Sequence, residues 1–458
     1  SVRRDARGRP LLADGLIFTE NPDGNDVYLT IDSDLQYMVE SEIQKTAQEF
    51  DAPSAFAVVL DAGTSEILAM ASYPSFDPNK PLQHGELESR RNRVSSEIIE
   101  PGSTFKTFVI ATALREKIVK PNKKYFCENG SFKVGKRIIH EAEANHAFGN
   151  ISVTEILAYS SNIGTSKIAF DLGEERLRKG LEDFGFGNKV GIGMSGEAKG
   201  IMPPLPWKQH LLSNISFGQG IGTSPLQVAS AYAAIAADGV LHSPTLVKKV
   251  RNSETGTIEE LRQGSGRRVL SHEDSIAMRS MLAAVTAPGG TGGNAKVEGF
   301  IVAGKTGTAQ IANPRGGGYL KGAYLSSFAG IIPANDPKFV IYVGVSQPQK
   351  AYYGSQVAAP LFSRIATYAV RKEGLIPSIS PVQSLVRSEI KNNKNSIEAK
   401  TNIGVVPDLR SLTLREVLQQ LQGSNYKLHI RGEGRVSDLK PAPGESIDVN
   451  GNLFIQFK

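Results

Sequence analysis

Pro101-Gly-Ser-Thr-Phe-Lys106 places a hydroxyl at Ser103 and an amine at Lys106, three positions apart and directly after a Pro-Gly helix start. Side chains three apart share a helix face, so the spacing predicts that the lysine reaches the serine oxygen. Pro101 suits a first helical turn, where no N–H is needed. Ser103 then sits near the helix N-terminus. Its own backbone N–H is free to face a developing oxyanion, with slight help from the helix dipole. The continuation through Phe108, Val109 and Ile110 to Leu114 is apolar nearly all round, which predicts a buried helix and a rigidly held nucleophile. Ser-x-x-Lys alone is common and carries little information. Its meaning comes from two further segments in chain order, Ser160-Ser161-Asn162 and Lys305-Thr306-Gly307-Thr308.

A serine hydroxyl needs a group to take its proton as the oxygen attacks. No histidine lies near Ser103 in sequence, and the Gly-x-Ser-x-Gly elbow is absent. Lys106 is therefore the candidate base. Burial among Phe105, Phe108 and their neighbours, or a second cation, lowers a lysine pKa enough for that work, and Lys305 is a candidate for the second cation. Ser160 and Asn162 are two apart and share no helix face, so this segment is expected to be a turn. Ser160 would relay a proton to the leaving group, and Asn162 would offer a donor and an acceptor to a substrate amide.

Lys305 to Ala309 reads as a strand, with Lys305 and Gly307 on one face. Gly307 is expected to clear space for a substrate peptide, which could pair with the strand as an added strand. Thr308 is the candidate for the second oxyanion N–H. Lys305 with the Thr306 or Thr308 hydroxyl would hold a substrate carboxylate. The Gly-Lys-Thr within this segment lacks the spacing of a phosphate loop.

The remaining features narrow the class. The 458 residues exceed one ordinary core and suggest several domains. A net charge of +6 is mild over that length, and Lys and Arg are not interleaved with aromatics, so nucleic-acid binding is not expected. Cys127 is the only cysteine, which excludes an internal disulfide and leaves no zinc partner. His140 and His146 form no metal pattern and read as ordinary surface or loop residues. No metal and no cofactor are expected. The longest apolar patch, near Val228–Ile235, is too short to span a membrane. The charged opening without methionine reads as the middle of a longer protein.

Strand patterns at Val27–Ile31, Ala55–Leu60 and Glu66–Ala71 precede the Ser103 helix. Others at Phe300–Ala309, Ser326–Ile332 and Phe339–Val345 follow a mostly helical stretch over 151–235. An apolar helix, Leu361–Val370, closes the region. The sheet thus draws on both ends of the domain with helices flanking it, an α/β or α+β arrangement with an all-helical lobe. Residues 1–23 read as a lead-in, 24–375 as the main domain and 376–400 as a linker. Residues 401–458 read as a small unit of one helix on a small sheet, with Thr413 and Glu416 as a capping box.

Glu100-Pro-Gly-Ser-Thr-Phe-Lys-Thr107, Tyr159-Ser-Ser-Asn-Ile-Gly-Thr165 and Gly304-Lys-Thr-Gly-Thr-Ala-Gln310 resemble the three active-site motifs of class B penicillin-binding proteins. Arg91-Asn-Arg93, Phe217-Gly-Gln-Gly-Ile-Gly-Thr-Ser-Pro225 and Tyr353-Gly-Ser-Gln-Val-Ala-Ala-Pro-Leu-Phe362 agree. Val405-Val-Pro-Asp408 and Pro441-Ala-Pro-Gly444 make the C-terminal unit resemble a single PASTA module. The resemblance implies the penicillin-recognising serine transpeptidase fold, with an antiparallel sheet. It implies peptidoglycan crosslinking outside the cytoplasmic membrane: Ser103 attacks the D-alanyl-D-alanine end of a stem peptide and releases D-alanine, and beta-lactams trap the serine. The motifs resemble those of the septal, FtsI-like division type and also of the elongation type, and the PASTA-like tail favours the division or sporulation type. The family further implies a membrane anchor, a pedestal of which residues 1–23 are a remnant, and as partners a SEDS-type glycosyltransferase and divisome proteins. The rival readings are a D,D-carboxypeptidase or serine beta-lactamase, and a non-enzymatic penicillin-binding sensor.

Overall fold

The computed structural model describes residues 24–80, 86–142, 146–261, 264, 266–314, 316–377, 404–421, 427–432, 434–447 and 452–458. The lead-in at 1–23 and nearly all of the expected linker lie outside the described residues. The chain divides into two compact units, Ser1–Pro381 and Val382–Lys458.

The first unit is organised on five strands: β1 Ser54–Asp61, β2 Ile67–Tyr73, β3 Ala303–Ala312, β4 Tyr319–Ile332 and β5 Phe339–Ser346. They form one antiparallel sheet in the order β3-β4-β5-β1-β2. The apolar run of β1 is buried on both faces, as a central strand should be. Alternation then sorts its side chains into two cores. Phe56, Val58 and Leu60 face one core, while Ala55, Ala57 and Val59 face the other.

The helices used below are α1 Ser33–Glu49, α2 Lys106–Arg115, α3 Val153–Ala158, α4 Asn162–Leu172, α5 Pro225–Ala236 and α6 Ala358–Lys372. Helices α1 and α6 cover one face. Asp32 caps α1 by accepting the Leu35 N–H at 2.9 Å. The buried stripe of α6, Leu361, Phe362, Ile365 and Ala369, packs on the sheet. Helix α5 lies against the other face. It is capped by the reciprocal Ser224–Gln227 box with Pro225 in the first turn, and every one of its residues is buried. Helix α2 is also buried, from Lys106 to Leu114. Phe105 and Phe108 meet Phe186 with ring centroids 4.9 Å apart, and Phe108 meets Tyr232 at 5.3 Å.

Two expectations change in detail. The Ser103 segment is not the start of the α-helix; it is a 3₁₀ turn, Gly102–Phe105, which hands over to α2 at Lys106. The strand expected from Phe300 begins only at Ala303; just before it, the Val302 carbonyl accepts the Thr286 hydroxyl at 2.6 Å.

The second unit has strands Lys427–Arg431, Val436–Lys440 and Asn452–Phe457. The last of these lies between the other two. Its Leu453, Ile455 and Phe457 alternate inward toward Val417 of the helix Leu414–Gln420 and toward Val406, Leu409 and Leu439. The backbone N–H and hydroxyl of Thr413 both donate to the Glu416 carboxylate at 2.8 Å.

Candidate active site

Three elements meet at the end of the sheet: the 3₁₀ turn bearing Ser103, the break between α3 and α4, and the edge strand β3. The first is held by backbone contacts that only glycine allows. The Gly102 N–H donates to the Gly218 carbonyl at 3.1 Å. Gly218 has φ +79°, and a Cβ there would lie 2.1 Å from the Gly102 oxygen. Glu100, just before the turn, accepts the Gly220 N–H at 2.9 Å and the Tyr319 hydroxyl at 3.0 Å. Burial pushes its carboxyl pKa up.

Ser160 and Ser161 interrupt two helices. The Ser160 backbone sits in the left-handed region at φ +61°, a costly conformation for a residue with a side chain. Ser161 is the cap of α4, its hydroxyl accepting the Gly164 N–H at 2.9 Å. The kink turns the Ser160 hydroxyl and the Asn162 side chain to the same place, as two positions on one helix could not.

That place is occupied by two amines. Lys106 Nζ donates to the Ser160 carbonyl at 2.5 Å, to Ser160 Oγ at 3.1 Å and to Asn162 Oδ1 at 2.7 Å. Lys305 Nζ reaches the same Ser160 Oγ at 3.0 Å and the Thr306 carbonyl at 3.1 Å. Both lysines are 0% exposed. Burial lowers the Lys106 pKa to about 7, against an opposing pull from the Glu141 carboxylate. Burial also drives Lys305 well below the ordinary lysine range, and the Lys106 charge adds to it. Of the two causes considered from sequence, burial acts on both amines. The two amines also repel each other when both are charged, which disfavours protonating both at once.

Ser103 is half-buried, and its hydroxyl makes no hydrogen bond to another described residue. Its expected partner Lys106 is held by Ser160 and Asn162 instead. Ser103, Ser160, Asn162, Thr306 and Thr308 all line a cleft of about 530 Å³. Lys106, Lys305 and Gly307 lie behind its wall. This corrects the reason for the glycine. A Cβ on Gly307 would lie 2.3 Å from Ser327 Oγ and 3.0 Å from Thr104 Cγ2, so the space belongs to the protein's own packing and not to a substrate. Strand β3 is at the sheet edge, so half of its backbone groups have no sheet partner there. The Thr308 hydroxyl accepts the Gly354 N–H at 2.9 Å, and the Thr306 hydroxyl donates to that of Thr291 at 3.1 Å.

Sequence reasoning passed over several lining residues. His140 and His146, which read from sequence as ordinary surface or loop residues, both line the cleft, as does His210. Tyr324 and Tyr352 stack at its rim with centroids 4.5 Å apart. Glu141 was missed entirely, since no spacing links it to the three motifs. Among the described residues, no group of His, Cys, Asp and Glu is placed to hold a metal ion.

Fold and cluster together are those of a penicillin-recognising serine transpeptidase. Residues 55–367 match the family described as penicillin binding protein transpeptidase domain, and the chain belongs to that family. It is 37% identical to penicillin-binding protein PbpB of Mycolicibacterium smegmatis over 368 residues, covering 78% of this chain and 56% of that protein. It is 32% identical to stage V sporulation protein D of Bacillus subtilis over 460 residues, covering 98% of this chain and 68% of that one. Among solved structures, penicillin-binding protein 3 of Mycobacterium tuberculosis complexed with ampicillin superposes with TM-score 0.74 at 32% identity, covering 82% of this chain and 88% of that one. No described helix is long and apolar enough to cross a membrane.

Proposed function

We propose that this chain carries a serine D,D-transpeptidase that crosslinks peptidoglycan stem peptides and is acylated by beta-lactams. The observation that carries the reading is the Ser160 hydroxyl, which bridges the two buried amines at 3.1 and 3.0 Å in the cleft that Ser103 also lines. Neutral Lys106 takes the Ser103 proton as Oγ bonds to the carbonyl carbon of the penultimate D-alanine. The C–N bond to the terminal D-alanine breaks. The proton passes from Lys106 through Ser160 to the departing amine. An acceptor amine then attacks the ester and restores Ser103.

The backbone N–H groups of Ser103 and Thr308 receive the oxyanion; loss of one such donor costs about 3–4 kcal/mol in the transition state. The Thr308 hydroxyl, keeping its own proton to donate, holds the substrate carboxylate, and the charge of Lys305 behind the cleft wall attracts it. The donor peptide lies along the open edge of β3, with Asn162 on its amide.

The mycobacterial and sporulation relatives support a role in septal or sporulation wall synthesis at the outer face of the cytoplasmic membrane. There the SEDS-type glycosyltransferase and divisome proteins are the partners. Residues 401–458 are read as a PASTA-like module, supported by the helix and three-stranded sheet with a core of their own.

The test is labelled penicillin followed by peptide mass spectrometry. The label is expected on Ser103, and a label elsewhere overturns the assignment. The lifetime of the adduct separates the rivals: hours support the transferase, and milliseconds indicate a lactamase.

A further inference from the structure

The cluster contains a third charged group that none of the three motifs supplies. Glu141 follows the strand Arg137–His140 and is 8% exposed. Its carboxylate accepts the Ser161 hydroxyl and the Asn162 N–H, each at 2.6 Å. Its neighbour helps, for the His140 carbonyl accepts Asn162 Nδ2 at 3.0 Å. Asn162 is thus gripped through its backbone and its side chain, and its Oδ1 meets Lys106 Nζ at 2.7 Å.

Two buried amines and one buried carboxylate set a charge count. With both amines protonated the cluster carries a net positive charge out of water, which is costly. With one protonated it is neutral. We infer that Glu141 is a positioning residue that holds the Lys106–Lys305 pair at a single ammonium, so that one amine is left as base while Asn162 is kept in register. The inference rests on the acylation reading above.

Among the described residues, the surroundings add no rival counter-charge. Lys106 faces Lys305 from β3 and Glu141 from the Arg137–His140 side, and Glu141 is the one acid acting on it among the described residues. Glu141 itself faces Ser161, whose Oγ lies 3.5 Å from Cys127 Sγ. Burial holds that thiol's pKa up, and Lys167 and Glu128 beyond it are paired with each other at 2.5 Å. His140 and His146 line the cleft.

The test measures the acylation rate constant of the whole chain with a fluorescent penicillin across the pH range. A carboxylate beside an ammonium raises its pKa, so its loss lowers that pKa. Glu141→Gln keeps the shape and removes the charge. Its acid limb should move to lower pH by about one unit, which retains about tenfold more of its own plateau rate well below the limb. Glu141→Asp draws the charge back by one methylene and should move the limb the same way by less. It decides the matter should the Gln variant not fold. A limb that stays in place, even with a lower plateau, means a purely structural role and overturns the inference. Absence of any Ser103 adduct on the unaltered chain defeats the acylation reading instead.

Discussion

Acidification should switch off acylation along a curve that the burial of Lys106 dictates. The base must be neutral, and protons compete for it. With a pKa of about 7, about 91% of the amine is neutral near pH 8 and about 1% near pH 5. The acylation rate should therefore fall about ninetyfold between those values and level off above about pH 8. An exposed lysine at the ordinary value would still be gaining about tenfold per unit from pH 8 to 10. The difference between the two cases, 10.5 against about 7, corresponds to about 5 kcal/mol of proton affinity removed by the apolar surroundings. Stopped-flow acylation with a chromogenic cephalosporin reads the profile directly, with circular dichroism at each pH confirming the fold. A rate that keeps climbing tenfold per unit above pH 8 would refute the depressed amine. A flat profile between pH 5 and 8 would show that Lys106 is not the base.

Three further outcomes are expected. Lys106→Ala should slow acylation by roughly 10²–10⁴-fold while leaving the circular dichroism spectrum intact; a near-normal rate would point to another base. Gly307→Val should lower the melting temperature and the acylation rate together, since its Cβ would lie 2.3 Å from Ser327 Oγ and 3.0 Å from Thr104 Cγ2, crowding β3 against β4 and the Ser103 turn. Overpacking of this kind costs about 1–3 kcal/mol, and an unchanged melting curve would contradict the packing described. Removing residues 382–458, which form a separate compact unit, should leave the acylation rate unaltered, and a large loss would mean that the tail shapes the cleft.

The sheet and its helices were legible because burial imprints a period. The apolar run of β1 and the stripe of α6 read directly as a strand and an apolar helix. The expectation of a turn at Ser160-Ser161-Asn162 followed from the 3.6-residue repeat. What that repeat could not reveal was the 3₁₀ start of the Ser103 segment, because i→i+3 and i→i+4 bonding use the same residues. Gly307 was misread for a related reason: a missing Cβ shows that something comes close, and only the coordinates show that it is Ser327 and Thr104.

From the sequence alone came the chemical groups and their order: a hydroxyl and an amine three apart, a polar turn, and a lysine on a glycine-bearing strand. Those are local facts, carried by spacing along one chain. Tertiary structure decided which amine meets which oxygen. Lys106 bonds to Ser160, 54 positions away, and Lys305 meets that same hydroxyl from 145 positions away. It also brought in Glu141, which no motif contains. Proton affinity depends on everything within a few ångströms once water is excluded, and those neighbours are chosen by packing and not by proximity in the chain.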